Sequence, residues 1–209
     1  LEVRIKADEK QEYVDYGVKR VADMSAEQIK EALLAAGLWP ALTQRPYGII
    51  ANPEVKPKAI FVSAFSTAPL AASPEFALQG DLADIQTAVD ALGKLTDGGV
   101  HLSLNSANYS GTPFHKLTNV IVHTFEGKHP AGNVGVQIHH IDRIAKGDVV
   151  WTVNIQDVAI IGRMVLSGKL DMSKTIVVTG SEAQKPCCKR IVAGAAVESI
   201  VGKGSENGR

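Results

Sequence analysis

Three features of this 209-residue sequence predict an α/β fold built on a mostly parallel sheet with flanking helices. Apolar runs of strand length alternate with amphipathic helical segments, the pattern of strand–helix–strand units. The run "KAIFVSAF" is apolar without alternation, as suits a strand covered on both faces. The run "SAEQIKEALLAAG" opens with a capping signal and closes on a glycine, the punctuation of a complete helix.

Taken in order, "LEVRIKA" sets Leu1, Val3 and Ile5 against Glu2, Arg4 and Lys6, the period-2 signature of a half-buried strand. With no Met before it, this opening reads as an excised piece whose strand partners lie upstream. In the first helix Ser25 caps, Gln28 completes a capping box, Ile29, Leu33 and Ala36 form the apolar stripe, and Gly37 stops it. "LWPALTQRPYGII", broken by Pro40 and Pro46, reads as a loop. After the "KAIFVSAF" strand, "GDLADIQTAVDALGKL" carries Leu82, Ile85, Val89 and Leu92 at helical spacing with Asp81 as cap. "GVHLSL" is a strand with Val100, Leu102 and Leu104 on one face, and "NVIVHTF" is another apolar strand. "NVGVQIHHI" is read with strand geometry, and most of "DVVWTVNIQDVAIIGRMVLSGKL" as a helix ending near Gly168. "KTIVVTG" closes the core strands, and the polar, Gly-rich "GKGSENGR" reads as a cut tail.

Composition excludes several classes. The 22 basic and 22 acidic side chains leave no net field, and no basic stripe marks a nucleic-acid binder. No apolar run reaches the roughly 18 residues of a membrane span, which predicts a soluble chain without a transmembrane segment. Cys187 and Cys188 are adjacent, without the CxxC spacing of redox or zinc sites, and read as reduced thiols with no role.

All six histidines fall between positions 101 and 140, which raises the question of a metal or phosphate site. "GNVG" supplies Gly132 and Gly135, yet neither GxGxxG nor GxxxxGK[ST] occurs. His139 and His140, on a strand, point to opposite faces and cannot share an ion; no HxxxH or HExxH exists, so no metal site is predicted. His123 reads as a core or edge histidine, and His129 before Pro130 as a turn residue. Ser167 in "VLSGK" is not a nucleophile elbow, and no catalytic group is assigned.

Four ordered blocks, "AGLWPALTQRPYG", "AIFVSAFSTAPLAASPEF", "KHPAGNVG" and "VVWTVNIQDVAIIGRMVLSGKL", resemble the A subunit of the bacterial sodium-translocating NADH:quinone oxidoreductase. The resemblance runs from about Leu1 to Val201. It implies a Rossmann-like α/β domain, a degenerate relative of the flavin-binding domain of respiratory complex I, with remnants of β domains at both ends. The implied division is residues 1–20, the last strand and linker of a lipoyl-like domain; residues 21–180, the α/β domain; and residues 181–209, the start of a β-grasp-like domain. The relative's Gly-rich flavin loop corresponds here to the stretch after Gly37, where ten residues follow without a glycine; "FSTAPLA" likewise lacks the relative's carboxylate. The backbone then cannot approach a phosphate closely, so no FMN or NADH site is expected here, and the resemblance implies that the redox cofactors reside in other subunits, with no FMN, FAD or Fe–S cluster on this chain.

What the resemblance implies is a peripheral component on the cytoplasmic face of the bacterial inner membrane, inside a multisubunit translocase that passes electrons from NADH to ubiquinone. The membrane-embedded B subunit is the implied partner, with ubiquinone the implied substrate. The candidate quinone contacts are Leu42, Arg45, Pro46 and Tyr47, with Arg45 donating to a quinone carbonyl. His129 and Gly132 are weaker candidates, read as fixing a turn beside the sheet's ligand edge. The competing class is a non-redox scaffold whose exposed apolar positions form a protein interface, with no ligand site of its own.

Overall fold

A computed structural model of the chain describes residues 3–6, 10, 12–181, 183 and 185–201. Helix α1 (Ala26–Ala35) forms as the capping box dictates: Ser25 Oγ accepts from the Gln28 amide while the Gln28 side chain accepts from the Ser25 amide. It buries Ile29 and Leu33, and Gly37 ends it at φ +68°.

Next come β1 (Thr43–Arg45) and β2 (Ile49–Ile50), β3 (Ile60–Ser63), the short α2 (Pro74–Ala77) and α3 (Leu82–Gly93). β4 (Val100–Asn105), β5 (Ile121–Phe125), α4 (Val134–Ile141), β6 (Val150–Asn154) and α5 (Ile155–Ser167) follow, then β7 (Ser173–Val178), β8 (Cys187–Val192) and α6 (Val197–Val201).

Six strands form one sheet in the order β2-β1-β6-β3-β4-β5; β6, β3, β4 and β5 run parallel, and β1 and β2 are antiparallel additions at one edge. The central β3 is buried on both faces, as its unbroken apolar run requires. Residues alternate across the sheet. Ile60, Val62, Leu102 and Trp151 join the larger core, which α1, α3 and α5 cover, while Ala59, Phe61 and Val150 pack with Ile138 of α4 on the other face. Helices α3 and α5 touch backbone to side: a Cβ on Gly162 would lie 1.7 Å from the Asp84 carbonyl oxygen.

Several sequence expectations give way. "LWPALTQRPYGII" is a 3-10 turn (Trp39–Ala41) and a small hairpin rather than a loop, because Thr43–Arg45 finds β6 as a partner. "NVGVQIHHI" is helix α4, not a strand; His139 and His140 therefore stand about 100° apart and their exposed rings meet edge to face at 5.5 Å. "VVWTVNIQDVAIIG" divides at Asn154, whose side chain ends β6 and caps α5 by accepting from the Gln156 amide. "KTIVVTG" is β7, which leaves the main sheet and pairs with β8 in a two-stranded sheet of its own. Asp81 stands at the start of α3 without a capping bond from its side chain. Of the opening segment, Leu1 and Glu2 lie outside the described residues, and Val3–Lys6 carry no strand. The tail 202–209 also lies outside them.

Candidate functional site

From β3 the chain crosses through α3 to β4 on one side; from β5 it returns through α4 to β6 on the other side. The strand order thus reverses between β3 and β6, and open α/β sheets bind ligands in the crevice outside the C-terminal strand ends at such a point. A cleft of about 970 Å³ lies there. Its walls are Ser63 at the end of β3 and Phe65 just beyond it, Asn154–Asp157 at the start of α5, Gly132 and Val134 at the start of α4, and Pro40, Ala41 and Thr43. Thr175–Val177 of β7 close one side.

The rim is built from specific contacts. Gly132 donates its amide to Thr67 Oγ1 at 3.0 Å, and a Cβ there would lie 2.4 Å from the Thr67 nitrogen, so the loop closes only on glycine. His129 Nδ1 lies 3.3 Å from the same hydroxyl, exposed to solvent. Across the cleft the Gln156 carboxamide donates to the Thr175 carbonyl (3.1 Å) and accepts from its amide (2.9 Å), standing in for a neighbouring strand. Asp157 pairs with Lys174 at 2.5 Å. Arg163 holds the approach to β7 through Asp171 (2.7 Å) and the Ser173 carbonyl (2.8 Å). Burial works against the Asp171 carboxylate, but hydrogen bonds from Ser173 and the Arg163 charge outweigh it and hold its pKa low. Asp84, behind Arg163, is pushed up by burial.

The hairpin lies elsewhere. Thr43 pairs with Thr152 toward the end of β6, but Arg45 pairs with Val150 at its start, so the turn after Arg45 sits at the sheet edge opposite the cleft. The predicted site residues therefore divide: Gly132 lines the cleft, His129 reaches only the Thr67 hydroxyl that holds Gly132, and Arg45, Pro46 and Tyr47 lie away from it. Leu42, predicted as a quinone contact, is fully buried in the larger core. Pro46 is exposed, Tyr47 is 80% exposed, and Ile49 and Ile50 are more than half exposed. Arg45 is half-buried, and its Nε is shielded from solvent with no hydrogen-bond partner.

Among the described residues no three His, Cys, Asp or Glu side chains come together as metal ligands. The histidine cluster resolves instead into separate contacts, one of them a hydrogen bond between His101 and His123.

Residues 24–170 match the family model described as the NqrA second alpha/beta domain. The chain belongs to the NqrA family. It is 34% identical over 198 residues to the A subunit of the Na(+)-translocating NADH-quinone reductase of Neisseria meningitidis, a match covering 95% of this chain and 44% of the relative. The corresponding Pseudomonas aeruginosa protein gives the same identity and coverage. That of Serratia proteamaculans is 35% identical over 194 residues, covering 92% and 42%. The chain thus spans less than half the length of these relatives. Among solved structures it resembles a chain of the NAD+-reducing [NiFe]-hydrogenase in the air-oxidized state, with a TM-score of 0.59 and 12% identity over 87% of this chain and 39% of that one. This likeness is one of fold alone.

In this NqrA-family domain the stretch after Gly37 reaches the cleft through Pro40, Ala41 and Thr43 rather than through the turn after Arg45. Sequence reasoning missed Ser63, Asn154, Gln156 and Thr175. Asn154 carried a usable signal, an N-cap residue directly after an apolar strand run.

Proposed function

We propose that this chain is the peripheral, cytoplasmic-side α/β domain of NqrA in a Na+-translocating NADH-quinone reductase, where it docks on the membrane-embedded B subunit of the complex and contributes to quinone binding. The relatives' names support membership of that assembly. The fold belongs in this reading to a Rossmann-like lineage shared with flavin-binding domains of NADH-handling enzymes, with flavin and Fe–S chemistry carried by other subunits. The domain division at residues 20 and 180 is part of the same proposal. No helix among the described residues is long and apolar enough to cross a membrane.

One observation carries the reading: the hairpin presents Arg45, with an unused buried donor, beside exposed Pro46, Tyr47, Ile49 and Ile50. Such a patch meets a quinone carbonyl and ring, or an apolar partner surface. Photo-crosslinking of the whole reductase with an azido-quinone tests the first use. Label on residues 43–50 supports a quinone contact there, and label wholly elsewhere removes it.

A second reading, a non-redox scaffold without its own ligand, is favoured by the shape of the hairpin. Tyr47 protrudes instead of lining a cavity, and the cleft walls exclude residues 45–47. Absence of quinone label from this domain, with NqrA fully retained in the complex, is the outcome this reading requires.

A further inference from the structure

We infer that Arg45 is the charged anchor of a protein interface, taking a carboxylate of a neighbouring subunit while Tyr47, Ile49 and Ile50 pack around the pair. This rests on the docking half of the function proposed above.

In an antiparallel pair, residues directly opposite share a face, so Arg45 lies on the face of its partner Val150. Val150 belongs to the smaller core, with Phe61 and Ile138, which α4 covers. Among the described residues, the helix packed on this face of the six-stranded sheet is the eight-residue α4, whereas α1, α3 and α5 cover the other. Arg45 therefore stands at the flank of a sparsely covered face, where a partner can reach it.

Chemistry selects the partner. The Arg45 Nε is shielded from solvent and unpaired, and a buried charged donor left so is costly. The segment Thr43–Ala51, "TQRPYGIIA", contains no acid to meet it, so the acceptor comes from outside the hairpin. A guanidinium matches a carboxylate in a bidentate fork, and arginine and tyrosine are the residue types that dominate interface energetics when water is excluded around them. Ile49 and Ile50 on the edge strand β2 supply that apolar surround. A quinone fits less well, because small-molecule sites enclose most of the ligand and Tyr47 projects into solvent.

The test uses the whole reductase carrying Arg45→Lys in NqrA, treated with a carbodiimide that joins an amine to a carboxylate in direct contact. The expected product links position 45 to an Asp or Glu of another subunit, identified by peptide mapping. In parallel, Arg45→Glu weakens retention of NqrA in the complex by about thirtyfold or more, the range for breaking a shielded charge pair. Retention of the Arg45→Glu variant at the unmodified level overturns the inference, as does a carbodiimide link confined to its own chain. Intact assembly with lost quinone photolabel assigns Arg45 to quinone instead. Replacing Tyr47, Ile49 and Ile50 together by serine separates the two layers of argument. If that variant docks fully, the docking reading fails; if it detaches while Arg45→Glu does not, only the carboxylate anchor fails.

Discussion

His101 Nδ1 on β4 lies 2.9 Å from His123 Nε2 on the neighbouring β5, the two rings within 3° of parallel and Phe61 stacked on the first. Neutral imidazoles share one proton in such a contact; charging both replaces the hydrogen bond by repulsion. Burial holds His101 below its ordinary value of 6.5, with His123 adding to the effect, and burial lowers His123 likewise. The unfolded chain therefore binds protons near pH 6.5 that the folded chain refuses, so the pair's contribution is complete above that pH and lost as pH falls below it. The urea midpoint should drop between about pH 8 and about pH 5.5. The drop should shrink in the His101→Gln/His123→Gln variant; an unchanged slope there would remove the pair as its cause.

Gly162→Ala should be among the most damaging single changes in the domain. The added methyl meets the Asp84 carbonyl oxygen at 1.7 Å, so α3 and α5 must move apart along their whole contact. A loss of about 2 kcal/mol or more is expected in denaturant unfolding. A loss under about 0.5 kcal/mol would mean that the helices are not packed this closely.

At the cleft rim, Gly132→Ala and His129→Asn should differ. The first forces a Cβ to within 2.4 Å of the Thr67 nitrogen and should open the loop 126–133 to proteolysis. The second removes one exposed contact at 3.3 Å and should change stability by no more than about 0.5 kcal/mol. Equal protease sensitivity in the two variants would contradict the assignment of the loop's closure to glycine.

Gln156→Ala removes the two hydrogen bonds that tie the Thr175 backbone to α5 and leaves the Thr175 hydroxyl's bond to the Ala77 carbonyl. Amide exchange across Ser173–Val178 should accelerate, corresponding to a local loss of about 1–3 kcal/mol. Unchanged protection would assign the docking of β7 to Arg163 and the Lys174–Asp157 pair instead.

The parts of the fold that were legible in the sequence are those set by local chemistry. The Ser25–Gln28 box, the Ile85–Val89–Leu92 stripe and the unbroken "AIFV" run each specify an element without help from distant residues. The failures occurred where tertiary partners decide. β-branched Val134 and Val136 favour an extended reading of α4 and Gly135 weakens the helical one, which the sheet face of Phe61 and Val150 overrides by burying Ile138. β6 and α5 join with no loop between them, so their apolar runs merge into one helix-like pattern. The candidate site suffered most. The cleft is made of strand ends far apart in sequence, and no spacing rule brings Ser63, Gly132, Asn154 and Thr175 together. The two-residue step between Thr43 and Arg45 sends the hairpin turn to the opposite edge, which a loop reading does not reveal.

Attachment of this domain to its complex through the β1–β2 hairpin, as proposed, is read out by retention of NqrA on the membrane. Full-length NqrA carrying Tyr47→Ser, Ile49→Ser and Ile50→Ser should be retained on washed membranes at least about tenfold less than the unmodified protein, with NADH-quinone reductase activity falling in step. Full retention and full activity of that variant would contradict the account.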